Sequence, residues 1–195
     1  MAGRGGSRRF TPIILLILVI AAFAISHLPE RKPEVVAPGA ESSSPTWSVY
    51  FSPEGGATQA VVNALAGARQ TVLVQAYSFT SAPIARALVA AHQRGVKVQV
   101  LLDKSNLSEK YSSADFLQYA GLATFIDSAH AIAHNKVIII DGETVITGSF
   151  NFTKSAEQRN AENLLIIRDP TLAAQYTHNW EEHRAHSREY LKGER

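Results

Sequence analysis

Four side chains suited to work on a phosphoryl group lie within one short stretch: His134, Lys136, Ser149 and Asn151. They sit in the pattern H-x-K-x4-D-x6-G-S-x-N, which also fixes Asp141 and Gly148. An ammonium supplies positive charge, while a hydroxyl and a carboxamide supply neutral donors for the equatorial oxygens of an attacked phosphorus. An imidazole can serve as nucleophile or proton carrier near neutral pH. Donors aimed at developing negative charge are usually the largest single catalytic effect. Six fixed identities at fixed spacing make a far stronger signal than a lone glycine triplet.

The elements that would position these groups follow from strand alternation. His134–Ile140 and Thr144–Ser149 read as strands, joined through Asp141-Gly142-Glu143 as a tight antiparallel hairpin. His134 and Lys136 share one face of their strand, and Ser149 and Asn151 share one face of theirs. A two-residue turn centred on Asp141-Gly142 or on Gly142-Glu143 would set the two pairs on the same side. One register places His134 opposite Asn151, the other opposite Ser149. Asp141 has the opposite parity and stands well up the strand from His134, so it reads as turn-forming and structural.

A nucleophilic histidine needs its second ring nitrogen held by a carboxylate or carbonyl. Glu162, entering the next apolar strand (Ala161–Ile167), is the candidate, with Glu157 as its rival. Glu157 otherwise reads as a solvated loop charge, and His130 as a surface loop residue. No Asp/Glu/His cluster with metal-ligand spacing stands out along the chain, and no metal or cofactor is expected.

The rest of the body alternates. Trp47–Phe51, Thr71–Tyr77, Val96–Leu102 and Ala123–Ile126 have strand composition. Helical spacing covers Ala60 to Ala68, the stripe from Pro83 to Gly95, and Ser112–Ala120, with a polar C-terminal helix over Pro170–Leu191. Strand–helix alternation of this kind implies an α/β fold with a mixed, mainly parallel sheet covered by helices. There is no internal repeat.

Of 195 residues, 46% are apolar and 18% charged, enough for a real core and too few charges for a disordered chain. The absence of cysteine excludes disulfides and thiolate chemistry within the chain. Three arginines (Arg4, Arg8, Arg9) precede the unbroken apolar run Ile13–Ile25, and Ala22-Phe23-Ala24 offers a small-x-small cleavage site. Residues 1–28 therefore read as a signal peptide or a membrane anchor, which implies export and a body outside the cytoplasm. Residues 29–46, with four prolines and a serine run, read as a flexible linker, and 47–195 as the catalytic domain. Sixteen Lys plus Arg then face all 17 acids in the remainder of the chain, a net of −1. A general basic footprint for a polyanion is thus excluded, and any such binding must be local. Lys104, Lys110, Lys154 and Arg159, near strand ends, could form such a rim.

The H-x-K-x4-D and G-S-x-N motifs are those of the phospholipase D superfamily, which this chain resembles from about Val49 to Trp180. Phe51-Ser52-Pro53-Glu54-Gly55, Ala76-Tyr77-Ser78-Phe79-Thr80, Arg94-Gly95-Val96 and Gly148–Lys154 are similar to the small secreted bacterial endonucleases of that superfamily. The resemblance implies an α/β/α sandwich and metal-independent phosphodiester hydrolysis through a phosphohistidine. By motif position His134 corresponds to the nucleophile, Lys136, Ser149 and Asn151 to the phosphate binders, and Glu162 to the carboxylate that orients His134. Larger members carry the motif twice; this chain carries it once. A proton donor must stand opposite the nucleophile, so a homodimer with a composite site is implied, as in the small endonucleases. The expected substrate is nucleic acid (DNA, with RNA as a second candidate), cut without sequence preference. The alternative is a phospholipase D acting on membrane phospholipid.

Overall fold

The computed structural model describes residues 44–191 and 193. The expected signal or anchor and the linker up to residue 43 lie outside the described residues. Among the described residues no helix is long and apolar enough to cross a membrane.

In chain order the elements are β1 (Thr46–Ser52), α1 (Ala57–Ala66), β2 (Thr71–Ala76), α2 (Ala82–Gln93) and β3 (Lys97–Asp103). A 3-10 turn (Lys104–Leu107), α3 (Ala114–Tyr119), β4 (Ala123–Asp127), β5 (Lys136–Ile140) and β6 (Thr144–Gly148) follow. The chain closes with α4 (Lys154–Gln158), β7 (Glu162–Arg168), α5 (Pro170–Ala185) and β8 (Arg188–Glu189). The eight strands form one sheet in the order β1-β7-β6-β5-β2-β3-β4-β8. It is mixed, as expected, but parallel pairing is confined to β2-β3-β4, the segment built by helical crossovers. The hairpin β5–β6 and the strands beyond it pair antiparallel.

Helices cover both faces. Val61 and Leu65 of α1, Ile84 and Leu88 of α2, and Leu117 of α3 pack with Val72, Val74, Ile138 and Ile146 on one side. Each such side chain, wholly withdrawn from water, contributes about 1.5–3 kcal/mol. On the other side α5 lays Ala173 and Trp180 against Leu101, Val137, Ile139 and Val145. Asp169 caps α5 by accepting from the Thr171 and Leu172 N–H groups, and Pro170 occupies its first turn.

One helix cannot span eight strands. Trp47, Val49 and Phe51 therefore stand exposed along one side of the edge strand β1, opposite Ile167, Leu165 and Asn163 of β7.

Three expectations need correction. The C-terminal helix stops at Ala185 rather than running to Leu191, because the chain turns back to pair β8 with β4. There Tyr190 is fully buried and its hydroxyl donates to Asp115. β5 begins at Lys136, so His134 lies just outside the strand, where the β2 pairing ends at Ala76↔Lys136. The hairpin is neither of the two expected forms. Asp141 and Gly142 both have positive φ, and the Glu143 N–H closes the turn on the Ile140 carbonyl. Glu143 is then an extra bulged residue, giving the register Ile140↔Thr144 and Ile138↔Ile146.

Candidate functional site

The site forms where β5, β6 and β7 run out at one end of the sheet. Lys136 is the first residue of β5, and its side chain shares the face of Ile138 and Ile140, so it is almost wholly buried. Its Nζ donates to the His134 carbonyl at 2.6 Å and lies 5.2 Å from the centre of the Tyr77 ring. His134 is exposed, with its imidazole packed on that same ring at 4.8 Å between centroids. The Tyr77 N–H donates to the Asn135 carbonyl, which fixes the segment carrying His134 against the end of β2. Tyr77 therefore underlies both candidate catalytic groups. Its position as the aromatic end of the buried strand was the available signal for it.

Glu162 opens β7 and lies close enough to Lys136 to act on it electrostatically. Burial pushes the Lys136 ammonium below its ordinary value, and the Glu162 charge partly restores it. The Glu162 carboxylate accepts from Ser149 Oγ at 2.6 Å and from Asn160 Nδ2 at 2.9 Å. Ser149 Oγ accepts in turn from the Asn163 N–H at 3.1 Å. Among the described residues no hydrogen bond joins His134 to Glu162.

Strand parity is not what gathers these groups. With the bulge at Glu143, continuation of the register sets Lys136 opposite Gly148, so Ser149 and Asn151 do not fall on its face. Gly148 ends the ladder at φ 149°, where a Cβ would lie 2.3 Å from the Asn163 carbonyl oxygen, so only glycine fits. Beyond it Phe150 and Phe152 sink into the core, and Phe152 forms an isolated parallel bridge with Phe79, three residues past β2. That alternation turns Ser149 and Asn151 away from the core, and Ser149 joins the site through Glu162. Asn151 keeps its Oδ1 buried without a hydrogen-bond partner, a polar group left unmet in a chain that satisfies nearly all others.

Two acids have different work. Asp141, at the far end of β5, accepts from the N–H groups of Arg69, Gln70 and Thr71 at 2.8–2.9 Å. Its partial burial would raise its pKa, but these bonds and the Arg69 charge outweigh that and hold it below the usual carboxylate value. A surface cavity of about 550 Å³ lined by Trp47, Arg69, Asp141 and Arg168 lies at that end, away from the His134–Lys136 pair. Glu157 is not a solvated loop charge: its carboxylate accepts from the Gly56 and Thr58 N–H groups and caps α1.

The expectation that no ligand-spaced cluster exists is also overturned. The fold brings Asp127, His130, His183 and His186 together, with four potential donor atoms within 4.8 Å of one another. Burial alone would raise the Asp127 pKa, but hydrogen bonds from His183, His130, the Ala129 N–H and His186 lower it to about 2. The signal was present as Asp127-x2-His130 and His183-x2-His186. Each half alone resembles an ordinary surface pair, and only the fold joins them.

Residues 61–184 match the family described as cardiolipin synthase, phospholipase D-like domain. A protein named phospholipase D from Rickettsia felis is 50% identical over 133 residues, which span 68% of this chain and 66% of that protein's length. Nuc from Salmonella typhimurium, a phospholipase D family member of known crystal structure, is 40% identical. It superimposes with a TM-score of 0.73 over 75% of this chain and 98% of its own. NucT from Helicobacter pylori, 26% identical, gives 0.70 over 75% of this chain and 99% of its own. With the motif at the sheet end, the mixed sheet between helical layers and these likenesses, this chain belongs to the phospholipase D superfamily of phosphodiesterases.

Proposed function

We propose that this chain cleaves phosphodiesters of nucleic acid as a nonspecific endonuclease, through a phosphohistidine on His134 in a homodimer. The observation that carries the reading is the pairing of an exposed imidazole with a buried ammonium two residues along, both resting on Tyr77. Lys136 spends one N–H on the His134 carbonyl, so two donors remain for a phosphate oxygen. In this course a neutral His134 ring nitrogen attacks phosphorus. The bond to the leaving oxygen breaks, and that oxygen takes a proton from the imidazolium of a second copy's His134. Water, deprotonated by that now neutral imidazole, then attacks phosphorus and frees His134. Lys136 and Asn151 stabilise the equatorial oxygens; Ser149, held by Glu162, completes the wall; and the Glu162 charge supports the Lys136 ammonium, while the expected hold of Glu162 on His134 is not made. Asp141 and Gly148 shape the motif from outside the reaction.

The apolar edge supports the dimer. Trp47, Val49 and Phe51 form an uncovered stripe whose Phe51 end adjoins Ser52, and Ser52 pairs with Glu162 at the site. A two-fold axis passing close to the Phe51 end of that stripe would bring two such sites together. The resemblance of Phe51–Gly55, Ala76–Thr80 and Gly148–Lys154 to the small secreted endonucleases of the superfamily supports nucleic acid as substrate. The arginine-led run Ile13–Ile25 supports a body held outside the cytoplasm.

A phospholipase D activity is the second reading, favoured by the name of the Rickettsia felis relative. The full chain, incubated without added divalent metal, is expected to nick supercoiled plasmid and to leave headgroups on phospholipid vesicles. Headgroup release with intact plasmid would establish the second reading instead. A strict need for added Mg²⁺ would overturn the phosphohistidine course. A fully active monomer in sedimentation would overturn the shared site.

A further inference from the structure

We propose that Asp127, His130, His183 and His186 form a structural zinc site that pins the segment leading to His134 onto the C-terminal helix. Three ring nitrogens converge on one carboxylate oxygen, Asp127 Oδ2: His183 Nδ1 at 2.7 Å, His130 Nδ1 at 3.1 Å and His186 Nε2 at 3.4 Å. His130 Nδ1 also stands 3.3 Å from Oδ1, so three imidazoles and one backbone N–H crowd the roughly four acceptor positions of a single carboxylate. Oδ1 is already taken by the Ala129 N–H at 3.0 Å. A tetrahedral cation with bonds of about 2.0–2.1 Å requires donors about 3.3 Å apart; the three nitrogens stand 2.7–3.4 Å from Oδ2, and all four donor atoms lie within 4.8 Å of one another, so a small closing-in of the ring nitrogens would meet it.

The donor set chooses the metal. Three neutral imidazoles and one carboxylate are too nitrogen-rich for magnesium or calcium, which take oxygen ligands. With no cysteine in the chain, thiolate-selected ions are excluded as well. A divalent ion of tetrahedral habit fits, and one carboxylate leaves the centre with a single net positive charge. Four protein ligands fill the tetrahedron and leave no position for water, which marks a structural rather than a catalytic centre. Asp127 is fully buried while His186 and His130 are partly exposed, so an ion can enter from solvent.

The ligands come from three places: the end of β4, the following loop and the last turn of α5 with its C-cap. That loop runs from Asp127 to the start of β5 and carries His134 four residues after His130. It is otherwise held by the Ala133 N–H on Asp103 Oδ2 at 2.7 Å, by Lys104 Nζ on the His130 carbonyl and by the Tyr77 N–H on the Asn135 carbonyl. A cation at the cluster would cross-link it to α5 at a second point. The cluster shares no residue with the His134–Lys136 pair, so the inference stands apart from the proposed reaction.

The test uses the full chain, purified without a polyhistidine tag, stripped with chelator and titrated with Zn²⁺ alone. Mass spectrometry of the metal after gel filtration should find about one zinc per chain, as four filled ligand positions require. Cobalt in place of zinc should give the visible absorption of a tetrahedral centre. The double variant His183→Ala/His186→Ala should retain less than about a tenth of that metal, and Zn²⁺ should raise the Tm of the wild type but not of the variant. His178→Ala, an exposed histidine on the same helix, should bind zinc as the wild type does. Should the double variant fail to fold, His186→Gln, on a partly exposed ligand, should weaken zinc binding at least about tenfold. Failure of the wild type to retain zinc, equal retention by the variants that fold, or a Tm unmoved by Zn²⁺ would overturn the site.

Discussion

At its Asp141 end, the first strand of the motif finishes in a carboxylate with three backbone N–H donors, a positive-φ turn and no catalytic neighbour. At its Lys136 end stand an exposed imidazole and a buried ammonium with donors to spare. The two ends lie five residues apart on one strand. Satisfied polar groups hold the fold together. Polar groups left unmet at a cost of about 1–3 kcal/mol each persist where something outside the chain can meet them. Within a single motif, polar satisfaction thus separates the residues that build from those placed to react.

The sharpest way to break the comparison is to change one group at each end. On the proposed phosphohistidine course, which forms its covalent bond on His134, His134→Asn should reduce phosphodiester cleavage by about 10³-fold or more. Its melting temperature should stay near that of the wild type, because the ring is exposed and makes no hydrogen bond that the sheet depends on. A plasmid-nicking assay beside a thermal melt checks both. A variant with near-normal activity would remove His134 from the reaction.

Much of this contrast was legible in the chain before folding. The motif residues announced the family, and apolar alternation placed β5 and β6. The limits are equally physical. A single bulged residue, Glu143, moves the register by one and defeats any parity argument drawn from an idealised turn. Glu157 looked like solvent-facing charge because its partners, Gly56 and Thr58, are about a hundred residues away. The Asp127 cluster was hidden for the same reason, with its two halves more than fifty residues apart. Local spacing reports what one element can present. It cannot report which two elements will meet.

The Asp141 end should answer in the opposite currency. Asp141→Asn replaces one acceptor oxygen by an NH₂ group facing backbone N–H donors, and should cost about 1–2 kcal/mol for this partly exposed site. Catalytic rate per folded molecule should be unchanged. The folded-state pKa of Asp141 lies below its unfolded value near 3.8. Its stabilisation is therefore complete above that value and disappears as pH falls through the folded pKa. Denaturant melts of wild type and variant should differ at pH 7 and converge in acid. A constant difference across that range would mean that the charge on Asp141 is not what holds the turn.

The smallest effect discriminates most finely at the reactive end. Lys136 is held below its ordinary 10.5 by burial, and Glu162 is the group that pushes it back up. Glu162→Gln removes that support and leaves a neutral side chain of the same shape for Ser149 and Asn160 to contact. Lys136 should then lose its proton at lower pH, so the alkaline limb of the activity profile moves down the pH scale. Stability should respond with the matching sign. A lysine whose folded pKa is depressed opposes folding while charged, and that penalty is relieved as pH rises through the folded pKa. An alkaline limb that stays in place, or moves upward, would show that Lys136 does not need its charge for the reaction or that Glu162 does not govern it. Either result would erase the electrical distinction between the two ends of the strand.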